Sequence, residues 1–531
     1  MGATIAGLPT MLAIQLRTGW KAAALWVVGV SAAMVGTTSS ISGLYDSATK
    51  IHGYAEALTA GDALVAVNGK VAGIDSLGGI VANEFGFLAA FALPLMGLTL
   101  VARPTRRDEE SGRLELLLAG RIGRAAPLVA AVVIATVALV LTSVAFAASL
   151  VAIGVPTEGA VAYAASLGSL GFVFAGVAAL GAQVVEHART VRGVGLGVLV
   201  VAYLVRGVAD VRGSELVWAS PLGWQEQVRA FGATRWWPLL VPLVAGAALA
   251  AAAVALAARR DLTSALFHRA GANPRASSAL RRPVGLAVHT HRGSIIGWAV
   301  GAVVVSGVFG ALTQQVSDAL VGNPALGTAF GGPGTSASSV DSFLSMTVLL
   351  LVLLCAGYGI QGASALRAEE VSGRLESTLA GTTARSRWLA LQIGVILAGA
   401  VVVAALGALA LAVGATWSTG DRGQGLRLLL AVTAYAPAIL VLAAVPVALF
   451  GVAPRLQPLG WTFFAVTTLV AFLATPLGLP AWVAGLAPTG HVGFVPLEVA
   501  DTWGLWELTA VAVGLLALAL AGFVRRGIPR G

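Results

Sequence analysis

The sequence predicts an all-α integral membrane protein of about twelve transmembrane helices, arranged as two homologous six-helix halves. Three observations carry that expectation. The 531 residues are 57% hydrophobic and only 11% charged, whereas a soluble domain carries roughly 25% charged residues. Apolar windows near twenty residues recur along the chain, the length that crosses ~30 Å of hydrocarbon at ~1.5 Å per residue. Finally, one polar stretch occurs twice. Arg106-Arg107-Asp108-Glu109-Glu110-Ser111-Gly112-Arg113-Leu114-Glu115, continuing to Leu118-Ala119-Gly120, returns as Arg367-Ala368-Glu369-Glu370-Val371-Ser372-Gly373-Arg374-Leu375-Glu376, continuing to Leu379-Ala380-Gly381. The offset is 261 positions throughout (367 − 106), without a gap.

The N-terminal twenty residues lack a secretory signal's order of charge, apolar run and cleavage site. They are expected to stay attached, as a short amphipathic helix at the membrane surface. Twelve spans follow, near 22–42, 79–101, 126–150, 161–185, 193–211 and 237–258 in the first half. In the second they lie near 293–314, 342–364, 388–414, 428–450, 460–478 and 508–524. An even number puts both ends on one side. Residues 1–21, 103–124, 186–192, 259–292, 366–387, 451–459 and 525–531 hold 25 Arg/Lys and 9 Asp/Glu; the remainder holds 8 and 15. Positive loops stay inside, so both termini and both repeated stretches are expected in the cytoplasm, at the plasma membrane. The basic excess then reflects topology and anionic headgroups; no soluble basic face for nucleic acid is present.

The first half is read as residues 1–258 and the second as 284–531. Between them, 259–283 carries six Arg and a Gly/Pro-containing centre, as a cytoplasmic linker would. The halves also agree near their ends. Ser220-Pro221-Leu222-Gly223-Trp224 is matched by Ala487-Pro488-Thr489-Gly490-His491, and Trp236 by Trp503, each 267 positions on (503 − 236). Such agreement marks an internal duplication. Proline and glycine interrupt helices, so Pro221, Gly223, Pro488 and Gly490 are read as outer segments that dip part-way in and return. Such backbone is tolerated only where protein buries it. An ordinary outer loop with interfacial Trp is the alternative.

In each repeat, acidic residues at the start suit the positive end of a helix. Leu114, Leu117 and Leu118 then share one face, flanked by Arg113 and Glu115. The result is a short amphipathic rod with polar groups available to a partner. Glu109-x-x-Gly112-x-x-Glu115 and Glu370-x-x-Gly373-x-x-Glu376, each directly after the second span of a six-span unit, resemble the coupling helix of type-2 ABC exporter permeases. The fused double unit resembles in particular the polyketide-antibiotic (tetronasin-type) exporter permeases. That resemblance implies a transporter subunit without catalysis of its own. Two copies of a separate ABC ATPase, carrying the ATP and Mg, would dock at Asp108, Glu109, Gly112, Arg113 and Glu115 and at Glu369, Glu370, Gly373, Arg374 and Glu376. The cargo would be hydrophobic or amphiphilic. The three lysines, Lys21, Lys50 and Lys70, are not followed by Ser or Thr, so the chain carries no phosphate-binding loop.

A proton-coupled carrier of the major facilitator class is the alternative, because it shares twelve spans, a basic middle linker and charged loops after spans two and eight. Its loop motif, however, expects Asp where Gly120 stands, and its proton path needs buried carboxylates. Span interiors here are almost free of charge. The exceptions are Arg206 and Asp210, four apart and so able to pair on one helix face, and Glu84 near the outer end of span two. In the resembled family, spans two and five line the transport path. These three residues are therefore read as bordering its outer portion, or else as locking helices together. The equivalent positions of the second half, Ser345, Leu473 and Leu477, carry no charge. No metal-ligand spacing, His-Glu-x-x-His or Gly-x-Ser-x-Gly occurs, and the single Cys355 excludes an internal disulfide.

Overall fold

The computed structural model describes residues 4–58, 65, 68–110, 112–118, 120, 122–185, 188–259, 280, 282–314, 339–381, 383–473 and 480–527. Among them there is helix and no strand, as a chain in hydrocarbon must close its backbone hydrogen bonds internally. Among the described residues, eleven helices are long and apolar enough to cross a membrane, and Leu459–Ala471 is a shorter apolar helix. The contacts divide the chain into two compact units, Met1–Ala272 and Asn273–Gly531. Only the ends of the predicted linker, among them Arg259 and Arg282, are described; its centre lies outside the described residues.

The first unit opens with α1 (Leu8–Leu44), started by Pro9 and closed by the Tyr45 N–H returning to the Ile41 carbonyl. The surface helix expected before span one is thus the first part of span one itself. From Met11 to Val28 no proline interrupts the run, and the single Gly19 costs only about 1 kcal/mol in a helix interior, too little to end it. At ~1.5 Å per residue it is about 55 Å long, more than a bilayer core needs. Helix α2 (Ala48–Leu58) follows, then α3 (Leu77–Ala102), whose Ser76 cap accepts the Gly79 N–H. Beyond the repeated stretch come α4 (Arg113–Leu118), α5 (Ala126–Ala152), α6 (Thr157–Val184), α7 (Ala188–Arg212), α8 (Pro221–Glu226) and α9 (Leu240–Arg259). Its core is held by a relay of rings, Phe85–Phe146–Tyr163–Phe231, with centroids 5.7, 5.6 and 5.2 Å apart. Helices α3 and α6 touch backbone to backbone: a Cβ on Gly97 would stand 2.3 Å from the Gly171 carbonyl. Small residues permit this approach where no hydrophobic effect drives helices together in lipid.

The second unit contains α10 (Pro283–Ala311), α11 (Ser339–Val371), α12 (Arg374–Leu379), α13 (Arg385–Thr419), α14 (Gly423–Ala434), α15 (Ala436–Val452), α16 (Leu459–Leu473), α17 (Ala481–Ala484) and α18 (Thr502–Arg525). The predicted tenth span is α14 and α15 together, joined at Tyr435 ahead of Pro437. Its core carries a second ring stack, Trp388–Phe523–Phe450, with centroids 5.5 and 5.6 Å apart.

Candidate functional site: two braced handles and a buried charge cluster

The repeated stretch folds as an elbow in both units. In the first, the α3 helix widens into one π turn (Arg103–Arg107), continues through Asp108–Glu110, and stops at Gly112, whose φ is +71°. In the second, α11 runs without a break to Val371 and stops at Gly373, φ +73°. Glycine reaches this left-handed region at no Cβ penalty. Each elbow is closed by the glycine N–H donating to the carbonyl three residues back, Glu109 at 3.0 Å and Glu370 at 3.1 Å. The short helices α4 and α12 then lie with Leu114 and Leu375 buried, while Arg113, Glu115, Arg374 and Glu376 are exposed.

The two glutamates that carry the motif are turned inward. Glu109 Oε2 meets Arg106 Nη1 at 3.1 Å, both side chains below a tenth exposed. Arg106 also donates through Nε to the Ala182 carbonyl of α6. In the second unit Glu370 Oε2 meets Arg367 Nη1 at 3.3 Å, the same atoms 261 positions on (370 − 109). Glu370 additionally takes a two-pronged bond from Arg526, Nη1 at 2.6 Å and Nη2 at 3.0 Å. The Arg526 guanidinium lies over Phe450 and Phe523, 5.0 and 5.1 Å from their centroids. These carboxylates brace the elbow to the bundle rather than presenting themselves to a partner. What each handle shows outward differs. On the second, Glu369 clasps Arg374 at 2.8 to 3.1 Å; that hydrogen bond raises the guanidinium's pKa above its ordinary value. On the first, Leu116 is 80% exposed.

The predicted pathway residues do not all meet. Arg206 and Asp210 on α7 form the expected pair, at 3.7 Å. Their closest companion was not foreseen: Glu226, the last residue of α8, lies 3.3 Å from Arg206 Nη1. All three side chains are buried. Burial pushes the Glu226 carboxyl well above the usual carboxylate range, and Arg206 pulls it only part of the way back. Arg206 also stacks on Tyr203, 4.7 Å from its centroid. Gly69, at φ +88°, presses against this cluster so closely that a Cβ would fall 2.0 Å from Glu226 Oε1. Glu84 stands apart: it is exposed and accepts a hydrogen bond from Tyr54, which in turn accepts one from Asn83 at 2.8 Å.

The Pro-x-Gly segments are brief helical turns. Ser220 caps α8, accepting the Leu222 N–H at 3.2 Å and donating to the Ala202 carbonyl of α7 at 2.6 Å. Gly223 abuts the Val217 carbonyl, where a Cβ would stand 2.1 Å away. In the second unit Pro488–His491 is a single 3-10 turn, and Gly490 lies beside the Ala484 carbonyl. Ser345, the counterpart of Glu84, donates its hydroxyl to the Phe494 carbonyl at 3.1 Å and accepts the Leu497 N–H at 2.9 Å. Leu477, the counterpart of Asp210, lies outside the described residues. Among the described residues, no group of three His, Cys, Asp or Glu could hold a metal ion.

A multi-pass bundle of apolar helices, duplicated down to the ion pair that braces each elbow, defines a membrane protein of the permease class. A family profile described as the C-terminal domain of the multidrug efflux system permease Rv1217c matches residues 280–524. Along the whole chain, the multidrug efflux system permease protein Rv1217c of Mycobacterium tuberculosis (strain ATCC 25618 / H37Rv) is 31% identical over 530 residues, covering 99% of this chain and 96% of its own length. The chain belongs to this family of multidrug efflux permeases.

Proposed function

We propose that this chain is the membrane-spanning subunit of an ATP-driven exporter of hydrophobic or amphiphilic compounds. Two copies of a separate ABC ATPase, holding ATP and Mg, dock on α4 and α12 from the cytoplasm of the cell, and both chain termini lie on that side. The observation that carries this reading is the elbow itself. A long span ends at a left-handed glycine, a carboxylate–arginine brace fixes the turn, and a short helix projects charged residues outward, twice, in one register. A force applied to such a short helix reaches the span through the buried brace rather than dissipating in a loop. The exposed residues Arg113, Glu115, Arg374 and Glu376 make the contact; Glu109 and Glu370 transmit it. On α7 and α8, the Arg206–Asp210–Glu226 cluster borders the outer part of the transport path in the first unit.

The test is co-expression with a stand-alone ABC ATPase encoded beside this chain's gene. Purified together, the two are expected in a ratio of two ATPases to one permease, with ATP hydrolysis stimulated by drug. Replacing Glu115 and Glu376 together with Arg should abolish that stimulation while the melting temperature of the permease stays unchanged. Efflux that continues without nucleotide hydrolysis and collapses with the proton gradient would overturn the reading.

A further inference from the structure

The first handle has beside it a cavity of about 380 Å³, which shares Arg113 with the docking face but whose inward reach the docking role does not use. Its walls come from the start of α1, the end of α3, the π turn, α4 and α5. Leu100 and Ile134 form part of an apolar floor, and Arg103, Asp108, Arg113 and Trp20 stand around its polar end. Ile134 lies eight residues into α5, about 12 Å from its start at ~1.5 Å per residue. The cavity therefore runs from the charged handle inward along faces suited to hydrocarbon. Its chemistry is that of an amphiphile with an anionic head.

The charges say which amphiphile. The lining holds two arginines and one aspartate, a net charge of +1. Arg17 and Lys21 are exposed on the adjoining turns of α1. Arg103 and Arg113 are both exposed. Guanidinium groups are rigid forks that match phosphate oxygens in pairs. Trp20, 56% exposed, is the side chain that settles at headgroup depth. Among the described residues of the second unit, the counterparts of the two arginines are differently placed. Ser364 stands at the Arg103 position and accepts a hydrogen bond from Gln457 at 3.2 Å, and Arg374, at the Arg113 position, is clasped by Glu369.

We propose that this cavity is a seat for one anionic phospholipid, its phosphodiester held between Arg103 and Arg113 and its acyl chains along Leu100 and Ile134. Asp108 on the same wall disfavours multiply charged heads, leaving a headgroup of single negative charge such as phosphatidylglycerol. The lipid joins α1 to the handle, so membrane composition bears on the first handle and not on the second. This site stands whether or not an ATPase docks there, since it is defined by lipid binding alone.

The experiment uses the full-length permease in neutral detergent, titrated with phosphatidylglycerol, with phosphatidylcholine and inorganic phosphate as comparison probes. Melting temperature and lipid retention in native mass spectrometry are the readouts. Phosphatidylglycerol is expected to bind and to raise the melting temperature, and the other two are not. Arg103→Gln and Arg113→Gln should each weaken binding about five-fold, roughly what one surface arginine contributes toward an anionic lipid. The control double variant Arg387→Gln/Arg455→Gln removes two exposed charges from the second unit, twice what either single variant removes, and should bind as the parent does. Ile134→Trp keeps both arginines and fills the floor; it should lose the lipid, and it keeps the test open should the arginine variants fail to fold. Undiminished binding in the arginine variants, equal loss in the control, undiminished binding in Ile134→Trp, or an equal effect of inorganic phosphate would each overturn the proposal.

Discussion

Glu370 is met by two arginines, Arg367 of its own elbow and Arg526 just past the end of α18, and this pairing has an energetic consequence. The Glu370 side chain is 3% exposed and that of Arg526 12%, so neither charge is solvated well enough to stand alone. Removing Arg526 leaves Glu370 with Arg367 as a remaining partner, so what is lost is the two charge-assisted hydrogen bonds rather than all compensation. Arg526→Ala is therefore expected to lower the stability of the detergent-solubilised protein by about 2 kcal/mol. Arg526→Lys should fall between, because it keeps the charge but loses the two-pronged fork and the stacking on Phe450 and Phe523. Glu370→Gln in the Arg526→Ala background should cost less than it does alone, the mark of direct coupling. Thermal unfolding measures all four; an Arg526→Ala protein that melts like the parent would show the brace to be idle. By the same reasoning Glu370→Arg sets a third cation against Arg367 and Arg526, so it unfolds the elbow rather than testing docking. None of this was legible in the sequence. Arg526 lies 156 positions from Glu370 (526 − 370) and reads there as one more basic residue of a positive-inside tail. Glu226 was hidden similarly: Arg206 and Asp210 already balance each other, and nothing in their spacing asks for a third charge from the end of α8.

At the scale of elements, what the chain repeats faithfully is the elbow. Gly112 and Gly373 both sit near φ +70°, and an added Cβ would meet nothing within 4 Å at either. Their replacement is therefore opposed by backbone strain and not by crowding. Gly112→Ala or Gly373→Ala is expected to cost about 1 to 2 kcal/mol, most cheaply relieved by re-aiming the short helix that follows. Asn, which tolerates this region, should cost less than Ala, and Val more. Drug-stimulated ATP hydrolysis of the reconstituted complex should fall in the order Asn, Ala, Val while the melting temperature moves by only a few degrees. An equal effect of all three would mean that the glycines are not conformational hinges of the handle. The elbow itself was readable, because acidic residues, a glycine and a leucine-faced turn appear together and appear twice. The spans were readable too, since hydrocarbon demands long apolar helices whatever the tertiary packing. The start of α1 was not. An amphipathic run before a span is compatible with a separate surface helix or with one continuous rod, and the contacts of Met11 and Gln15 with the start of α5 decide the matter only in three dimensions.

For the whole molecule, duplication followed by divergence implies two handles of common geometry and unequal surroundings. The short helices read Arg113-Leu114-Glu115-Leu116-Leu117-Leu118 and Arg374-Leu375-Glu376-Ser377-Thr378-Leu379, so the middle of each is where they part. Leu117, like Leu8, Leu12 and Ile14 of α1, packs against a small buried core of Met11, Ala126 and Ala130. The N-terminal turn at residues 4–7 is fastened nearby, Gly123 and Ala125 donating their N–H groups to the Ala6 and Thr4 carbonyls at 2.9 and 3.0 Å. Thr378 instead returns its hydroxyl to the Arg374 carbonyl of its own helix at 3.0 Å. Exchanging the residues should therefore have opposite weights. Leu117→Thr strips apolar area from a half-buried leucine, about 1 kcal/mol, and frees the first handle from α1. Thr378→Leu trades a local, exposed hydrogen bond for a partly exposed apolar group and should stay within about 0.5 kcal/mol. If the first handle transmits motion through α1 as well as through α3, Leu117→Thr will reduce drug efflux by more than its loss of stability explains, and Thr378→Leu will leave efflux as it was. Equal responses to the two exchanges would mean that the handles, despite their different neighbours, work as interchangeable copies.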